Sequence, residues 1–474
     1  MNETAKTEGQ ILFENLTGKK ENLFEKEREK AEEVFSYAEG YKAFLDAAKT
    51  EREAVAELIL AAKEKGFSEW CLGDPVKTGG AYYFNNRGKN LFLFRVGTEN
   101  VESDGFRILA AHIDSPRLDL KQIPMYEKAG MCFFKTHYYG GIKKYQWTAI
   151  PLALHGVVIL GNGEEATVKI GEDEGDPVFY ISDILPHLSA KQYAKPLGTA
   201  IPGEKLNVLI GGVPYPDDKV SDKIKLNVLK LLNEKYGICE DDFISAEISA
   251  VPAFKARDVG FDRAFVGAYG HDDRVCAYPI ATAIFNCEDK RHSTLVILAD
   301  KEEVGSDGNT GMNSILLRDV IDSISGSLGA DPIRVRANSM CISADVTAAF
   351  DPNFEEDLIF EKRNTSMISC GTAMCKYTGS KGKVSTNDAS AEFVGTIRRL
   401  FQENGVTFQT SELGKIDEGG GGTVAKYISR INIDTVDIGV PVISMHAPYE
   451  VISKADLYST YEAFSAFCKL CCKN

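Results

Sequence analysis

No apolar run in this 474-residue chain approaches the ~20 residues that would carry a helix across a bilayer. The opening stretch, "MNETAKTEGQ", is polar and mixed in charge and lacks the apolar core of an export signal. Basic residues are in deficit: 54 Lys and Arg stand against 69 Asp and Glu, a net charge of −15. Phosphate backbones and anionic lipid surfaces repel such a balance, which argues against nucleic acid or membrane as a partner. A second C-x-x-C is also missing. The one present, in the tail "CKLCC" (Cys468, Cys471, Cys472), has no second pair to complete a structural zinc tetrahedron. With 11 scattered cysteines and no export signal, the chain reads as a cytoplasmic protein with reduced thiols, the tail cysteines packed on a C-terminal helix. There is no internal repeat and no low-complexity segment.

What is present is the composition of a globular protein, 44 % apolar and 26 % charged, in a chain long enough for two domains. Residues 22–66 carry helical patterns without proline, and "NLFLFRVG" and "FRILAAHID" read as strands. From about 120 to 260 short strand-like runs alternate with Gly and Pro turns, around one helix near 221–236. After 260 the α/β rhythm returns, through "DDRVCAYPIATAIFN" (helix), "STLVILAD" (strand), "SMCISAD" (strand), a Gly-rich helix start "EGGGGTVAKYISR" and a strand "PVISM". Helices alternating with buried-type strands predict an α/β domain, a mostly parallel mixed sheet covered on both faces. That domain is expected to be discontinuous, 1–119 and 261–474, with a β-rich domain at 120–260 inserted into it.

Acids and histidines recur at or just beyond the strand ends. "RILAAHIDSP" offers His112 and Asp114, "AYGHDDRV" offers Asp272 and Asp273, and "LVILADKEEVGS" offers Glu302 and Glu303. "MCISADVTAAFDPN" adds Asp345, and "PVISMHAPYE" adds His446. Taken singly, each has an ordinary explanation: a hydrogen-bonded surface pair, a solvated pair of glutamates, an acidic helix N-terminus. Together, in open α/β sheets, such segments converge outside the carboxyl ends of the strands. Two imidazoles and several carboxylates suit zinc, and also manganese or cobalt. A two-metal centre further needs a bridging carboxylate, and hydrolysis needs a base that is not itself a ligand. His137, His155 and His292 read as hydrogen-bonded structural or surface residues; His271, beside Asp272, also suits a metal phosphohydrolase, but that class carries its ligands on helices.

These segments resemble the aspartyl aminopeptidase and vacuolar aminopeptidase I family of co-catalytic metallopeptidases. The resemblance runs through "AAHIDSPRLDLK", "YYGG", "LPHL", "GHDDRVCAY", "DKEEVGSDGNTG", "SADVTAAFDPN", "GGGGTVA" and "MHAPYEV". It implies that Asp272 bridges two divalent ions, most simply zinc, with cobalt or manganese as alternatives. His112 and Asp345 would complete one metal site, Glu303 and His446 the other. Glu302 would be the general base, Asp114 would orient His112, and the Asp272–Asp273 peptide would be cis. Gly421 and Gly422 fall in the substrate-binding segment. The implied reaction is removal of N-terminal residues from peptides with a free amine, in a homo-oligomer, a tetrahedral dodecamer built through the inserted domain. A carboxypeptidase or amide deacylase on the same domain, or an inactive scaffold, are the competing readings.

Three positions depart from the aspartyl-type pattern. Ala149, Ile150 and Pro151 replace a charged triplet after "YYGG". Lys191, in "PHLSAK", replaces a histidine that would reach a neighbouring subunit's site. In "GTAMCKYTG", Cys375 occupies the slot of a lysine that would hold an acidic side chain, and Lys376 follows one residue later, on the other face of a strand. A neutral or apolar first residue is therefore expected at least as readily as an acidic one.

Overall fold

The computed structural model describes residues 6–355 and 360–471, so Cys472 lies outside the described residues. Helices α1 (Ala31–Ala47) and α2 (Glu51–Glu64) precede strands β1 (Ala81–Asn86), β2 (Asn90–Arg95) and β3 (Phe106–His112). The start of α2 is set by a capping box: Thr50 accepts from the Glu53 amide while the Glu53 side chain returns to the Thr50 amide. Ala54, Val55, Leu58 and Ala62 then make one buried stripe at helical spacing.

The chain next builds a second sheet from β4 (Arg117–Lys128), β5 (Met131–Tyr139), β6 (Pro151–Ile159) and β7 (Ala246–Pro252), with α3 (Lys223–Tyr236) packed alongside. Including the short strands Phe179–Tyr180 and Val208–Gly211, its ladders run β7, β4, β5, Val208–Gly211, Phe179–Tyr180, β6, and β6 pairs again with β7. The sheet is therefore closed on itself, which leaves no free edge within that ring. It has its own core around Trp147, Leu152, Val158 and Phe243. Its strands begin slightly before residue 120, and Arg257–Val259 pairs instead with the following strand, outside the barrel.

That strand is β8 (Phe265–Ala268), followed by α4 (His271–Asn286), β9 (Ser293–Ala299), α5 (Leu316–Ser327), β10 (Met340–Ser343), β11 (Thr372–Cys375), α6 (Ala391–Glu403), β12 (Asp434–Gly439), β13 (Pro441–Ile443), β14 (Glu450–Ser453) and α7 (Lys454–Phe467). The main sheet has nine strands, from Ser68–Glu69 through β1, β2, β9, β3, β10, β12 and β11 to Phe408–Thr410. Its middle ladders, β9 with β3, β3 with β10 and β10 with β12, are all parallel. Every residue of β3 and β9 is buried, as expected for strands covered on both faces. Helices α1, α2, α4, α6 and α7 share the core on one face, and α5 with two short helices covers the other. At these positions a Leu109→Ala exchange would cost about 2–5 kcal/mol, transfer and cavity terms together.

Two local expectations change. β12 lies in the centre of the sheet, although "DTVDIG" did not read as a strand: Asp434 and Asp437 interrupt its apolar run. The expected Gly-rich helix starts only at Ala425, and Gly420–Gly421 instead forms a two-residue ladder with Gly379–Ser380.

Candidate active site

Because β9, β3 and β10 run in parallel and in register, their carboxyl ends lie side by side, and the chain leaves each of them carrying acids. His112 is the last residue of β3, Glu302 and Glu303 open a turn just after β9, and Asp345 follows β10. Asp272 enters from the start of α4, where its backbone is not yet helical and the Asp272–Asp273 peptide is cis, and His446 from the loop between β13 and β14. Gly439, at the end of β12, leaves room for this cluster: a Cβ there would stand 1.8 Å from the Asp345 carbonyl oxygen.

The side chains converge. His112 Nε2 lies 3.1 Å from Asp272 Oδ1 and 3.8 Å from Asp345 Oδ1. His446 Nε2 lies 3.1 Å from Asp272 Oδ2 and 3.4 Å from Glu303 Oε2. Asp272 thus turns one oxygen to each imidazole. Two groups, His112 with Asp272 and Glu303, and His112 with Asp273 and Asp345, each have ligand atoms within 4.8 Å of one another. The tautomers are fixed from behind: His112 Nδ1 donates to the Asp114 carbonyl (3.0 Å) and His446 Nδ1 to the Gly141 carbonyl (2.7 Å). Carbonyls accept only, so each Nε2 is left to face the acids.

The electrostatics are those of a site short of positive charge. Burial, and then the neighbouring carboxylates Asp345, Asp272 and Asp114, push Glu302 up to about 8, an effect His112 only partly offsets. Burial and Asp272 likewise raise Glu303 well above the ordinary carboxylate range, and Asp345 is raised by burial as well. Burial alone would lower His446, yet Asp272 and Glu303 bring it up to about 10. Glu303 Oε1 is buried without a hydrogen-bond partner among the described residues. Clustered carboxylates, two imidazoles with outward Nε2 atoms and an orphaned carboxylate oxygen form a donor set that fits divalent metal.

Asp114 sits beneath, fully buried. Its carboxylate lies 3.3 Å from His112 Nδ1 and accepts from the backbone amides of Glu302 (3.1 Å) and Glu303 (3.2 Å). Two further residues were not singled out from the sequence. Tyr139 donates to Asp114 Oδ2 at 2.8 Å, and Glu450 accepts from the amides of His446 (2.7 Å) and Asp272 (3.2 Å). Both lie inside quoted motifs, "YYGG" and "MHAPYEV", so position within a motif was the only available signal.

The cluster opens into a cavity of about 440 Å³ whose walls include Gly421, Gly422, Cys375 and the apolar Val346, Leu413, Ile416 and Met445. Lys381, Lys383 and Lys415 also line it. Lys376 does not; its ammonium faces Asp388 at 3.8 Å. Lys191 is exposed on the short helix Ala190–Tyr193 and does not line the cavity of its own chain. The other five histidines lie elsewhere, His187 exposed on the surface. His271 bonds Tyr41 and the Val266 carbonyl, His155 bonds Glu53 and Glu172, His292 bonds Asp104, and His137 is exposed. Of the tail cysteines described, Cys468 is buried and Cys471 exposed, and neither belongs to a metal-binding group among the described residues.

Residues 44–468 match the family model described as aminopeptidase I zinc metalloprotease (M18). A probable M18 family aminopeptidase 1 from Clostridium acetobutylicum is 47 % identical over 443 residues, 92 % of this chain and 95 % of that protein. The crystal structure of an M18-family aminopeptidase from Thermotoga maritima superimposes with a TM-score of 0.90 at 41 % identity, covering 95 % of this chain and 99 % of that one. The Saccharomyces cerevisiae mApe1 dodecamer shares the fold, with a TM-score of 0.75 at 21 % identity over 91 % of this chain and 96 % of that one.

Proposed function

The chain belongs to the M18 family of zinc metalloproteases and is a metal-dependent aminopeptidase, and from that premise we propose a dinuclear centre with Glu302 as its general base. Asp272 would be the carboxylate shared by both ions, His112 and Asp345 would hold one of them, and Glu303 and His446 the other. The observation that carries this reading is the Asp272 carboxylate, with one oxygen 3.1 Å from His112 Nε2 and the other 3.1 Å from His446 Nε2. When bound, two such ions supply Lewis acidity toward the scissile carbonyl and lower the pKa of the attacking water. Zinc is the metal that the family description supports.

The chain's own residues do the rest. Glu302 is next to a ligand without being one, so its carboxylate is free to take the proton from water and return it to the leaving amine. Asp114 holds the Glu302 and Glu303 amides in one grip and keeps His112 in the tautomer that offers Nε2. Glu302→Gln is expected to retain zinc while turnover falls by about 10²–10⁴-fold, the usual contribution of a positioned base. Retention of most activity in that variant would rule out the assignment.

For the first residue of the substrate we propose a neutral or apolar side chain. Cys375 stands in the wall at the position where the aspartyl-type pattern has a lysine, Lys376 faces Asp388, and four apolar side chains share the wall with Lys381, Lys383 and Lys415. Kinetics on Leu-, Asp-, Glu- and Lys-anilides test this, and a strong Asp preference would overturn it. A homo-oligomer built through the barrel is also proposed, with Lys191 exposed to meet a neighbouring subunit; the yeast dodecamer of the same fold supports it. Free cysteines suit the reducing cytoplasm proposed for it.

A further inference from the structure

The barrel touches the cluster of acids and imidazoles through a short segment at the end of β5. The Tyr139 hydroxyl donates to Asp114 Oδ2 at 2.8 Å. Gly140, at φ +75°, passes so close to the turn after β9 that a Cβ would stand 3.3 Å from Glu303 Cβ and Oε2. The carbonyl of Gly141 receives His446 Nδ1 at 2.7 Å. These three consecutive residues therefore reach both imidazoles, one through Asp114 and one directly. Tyr139 is itself held: the Arg117 guanidinium lies 4.0 Å from its ring centroid and bonds Glu51 of α2 at 2.9 Å.

We propose that Tyr139 is a positioning residue, through which the barrel fixes Asp114 and with it His112 and the Glu302–Glu303 turn. A buried carboxylate is held in place by the donors that satisfy it. Asp114 is fully buried, and its donors are His112, two amides of the turn it organises, and Tyr139. Of these, only Tyr139 is anchored outside the main sheet. The barrel is then part of the active centre, not an appendage to it. The inference rests on the roles given above to Asp114 and Glu302.

The test is a double-mutant cycle on the intact, zinc-loaded protein with Tyr139→Phe and Asp114→Asn. Phe keeps the ring under Arg117 and removes only the hydroxyl. Tyr139→Phe is expected to lower kcat about tenfold with KM unchanged, and to weaken zinc affinity in chelator competition about tenfold, the lower end for partners of metal ligands. The two substitutions should be non-additive, because both act through the same carboxylate. Exchange of the exposed barrel residue Lys121 to Ala should change neither quantity. Wild-type kcat and zinc affinity in Tyr139→Phe, or full additivity with Asp114→Asn, would overturn the inference while leaving the site assignment standing. A lower melting temperature of the zinc-free protein, with kcat and zinc affinity unchanged, would also overturn it. If Asp114→Asn were itself silent, the reading of the site would fall and this inference with it.

Discussion

Removal of one carboxylate at the junction of barrel and α2 should loosen the attachment of the whole insertion. Glu172 of the barrel is 4 % exposed and lies 2.7 Å from Lys49 Nζ, 3.0 Å from His155 Nε2 and 2.8 Å from Lys255 Nζ. His155, fully buried, turns its other nitrogen to Glu53 of α2 at 2.8 Å. Burial would raise the Glu172 carboxyl, but His155 and the two lysines outweigh it and bring it down to about 2 from an ordinary 4.5. At 1.36 kcal/mol per pKa unit, that depression contributes on the order of 3 kcal/mol at neutral pH. Glu172→Gln keeps the shape and removes the charge, leaving Lys49 and His155 buried without it; breaking a buried pair in this way costs about 3–5 kcal/mol. Urea unfolding at pH 7 should therefore show a loss of about 3 kcal/mol, whereas Glu204→Gln, partner of the exposed Lys121, should show none. A lowered carboxyl pKa stabilises above the unfolded value and loses that contribution as pH falls, so the gap between variant and wild type should shrink from about 4.5 toward about 2. His155 has the opposite sign: burial is outweighed by Glu172 and Glu53, its pKa is raised, and its contribution is present below 6.5 and fades as pH climbs through the folded value. If Glu172→Gln unfolded at the same urea concentration as Glu204→Gln, the cluster would hold nothing together.

Glu303→Gln, unlike Glu302→Gln, should weaken zinc binding in equilibrium dialysis by more than the about 10–100-fold typical of losing a hydrogen-bond partner of a ligand, because it removes a proposed ligand itself. Chelation should lower the melting temperature and speed proteolysis at the turn Glu302–Val304 first, since the acids gathered there would lose their counter-charge; unchanged cleavage kinetics would count against a metal at that turn. Gly439→Ala should abolish activity and zinc retention together, because its methyl meets the Asp345 backbone at 1.8 Å; a fully active variant would show that this strand end can shift.

The α/β class of the fold and the segments that converge at one rim were both legible in the sequence. Acids after apolar strands could be read from single segments, because a parallel sheet must deliver its strand ends to one rim. The partners behind them were hidden, since their roles rest on chained contacts: Tyr139 meets Asp114 across 25 positions and Asp114 the Glu302 amide across 188, while Glu450 ties His446, four positions away, to Asp272, 178 positions away. β12 was missed because its Asp437 points a buried carboxylate at Thr423 (2.7 Å), which breaks the apolar pattern that marks an inner strand. The glycine run before α-helical "AKYIS" has the look of a helix start, but Gly420 sits at φ +130° and pairs with a hairpin instead.

The order of the donors along the chain has a consequence for biosynthesis. His112 is made early, the barrel is made before Asp272, and His446 is made only after β12 and β13. A ribosome-bound or prematurely ended chain can hold most of the carboxylates and still lack one imidazole. A centre that needs both imidazoles, as the proposed one does, can therefore be completed only once the chain has grown past His446.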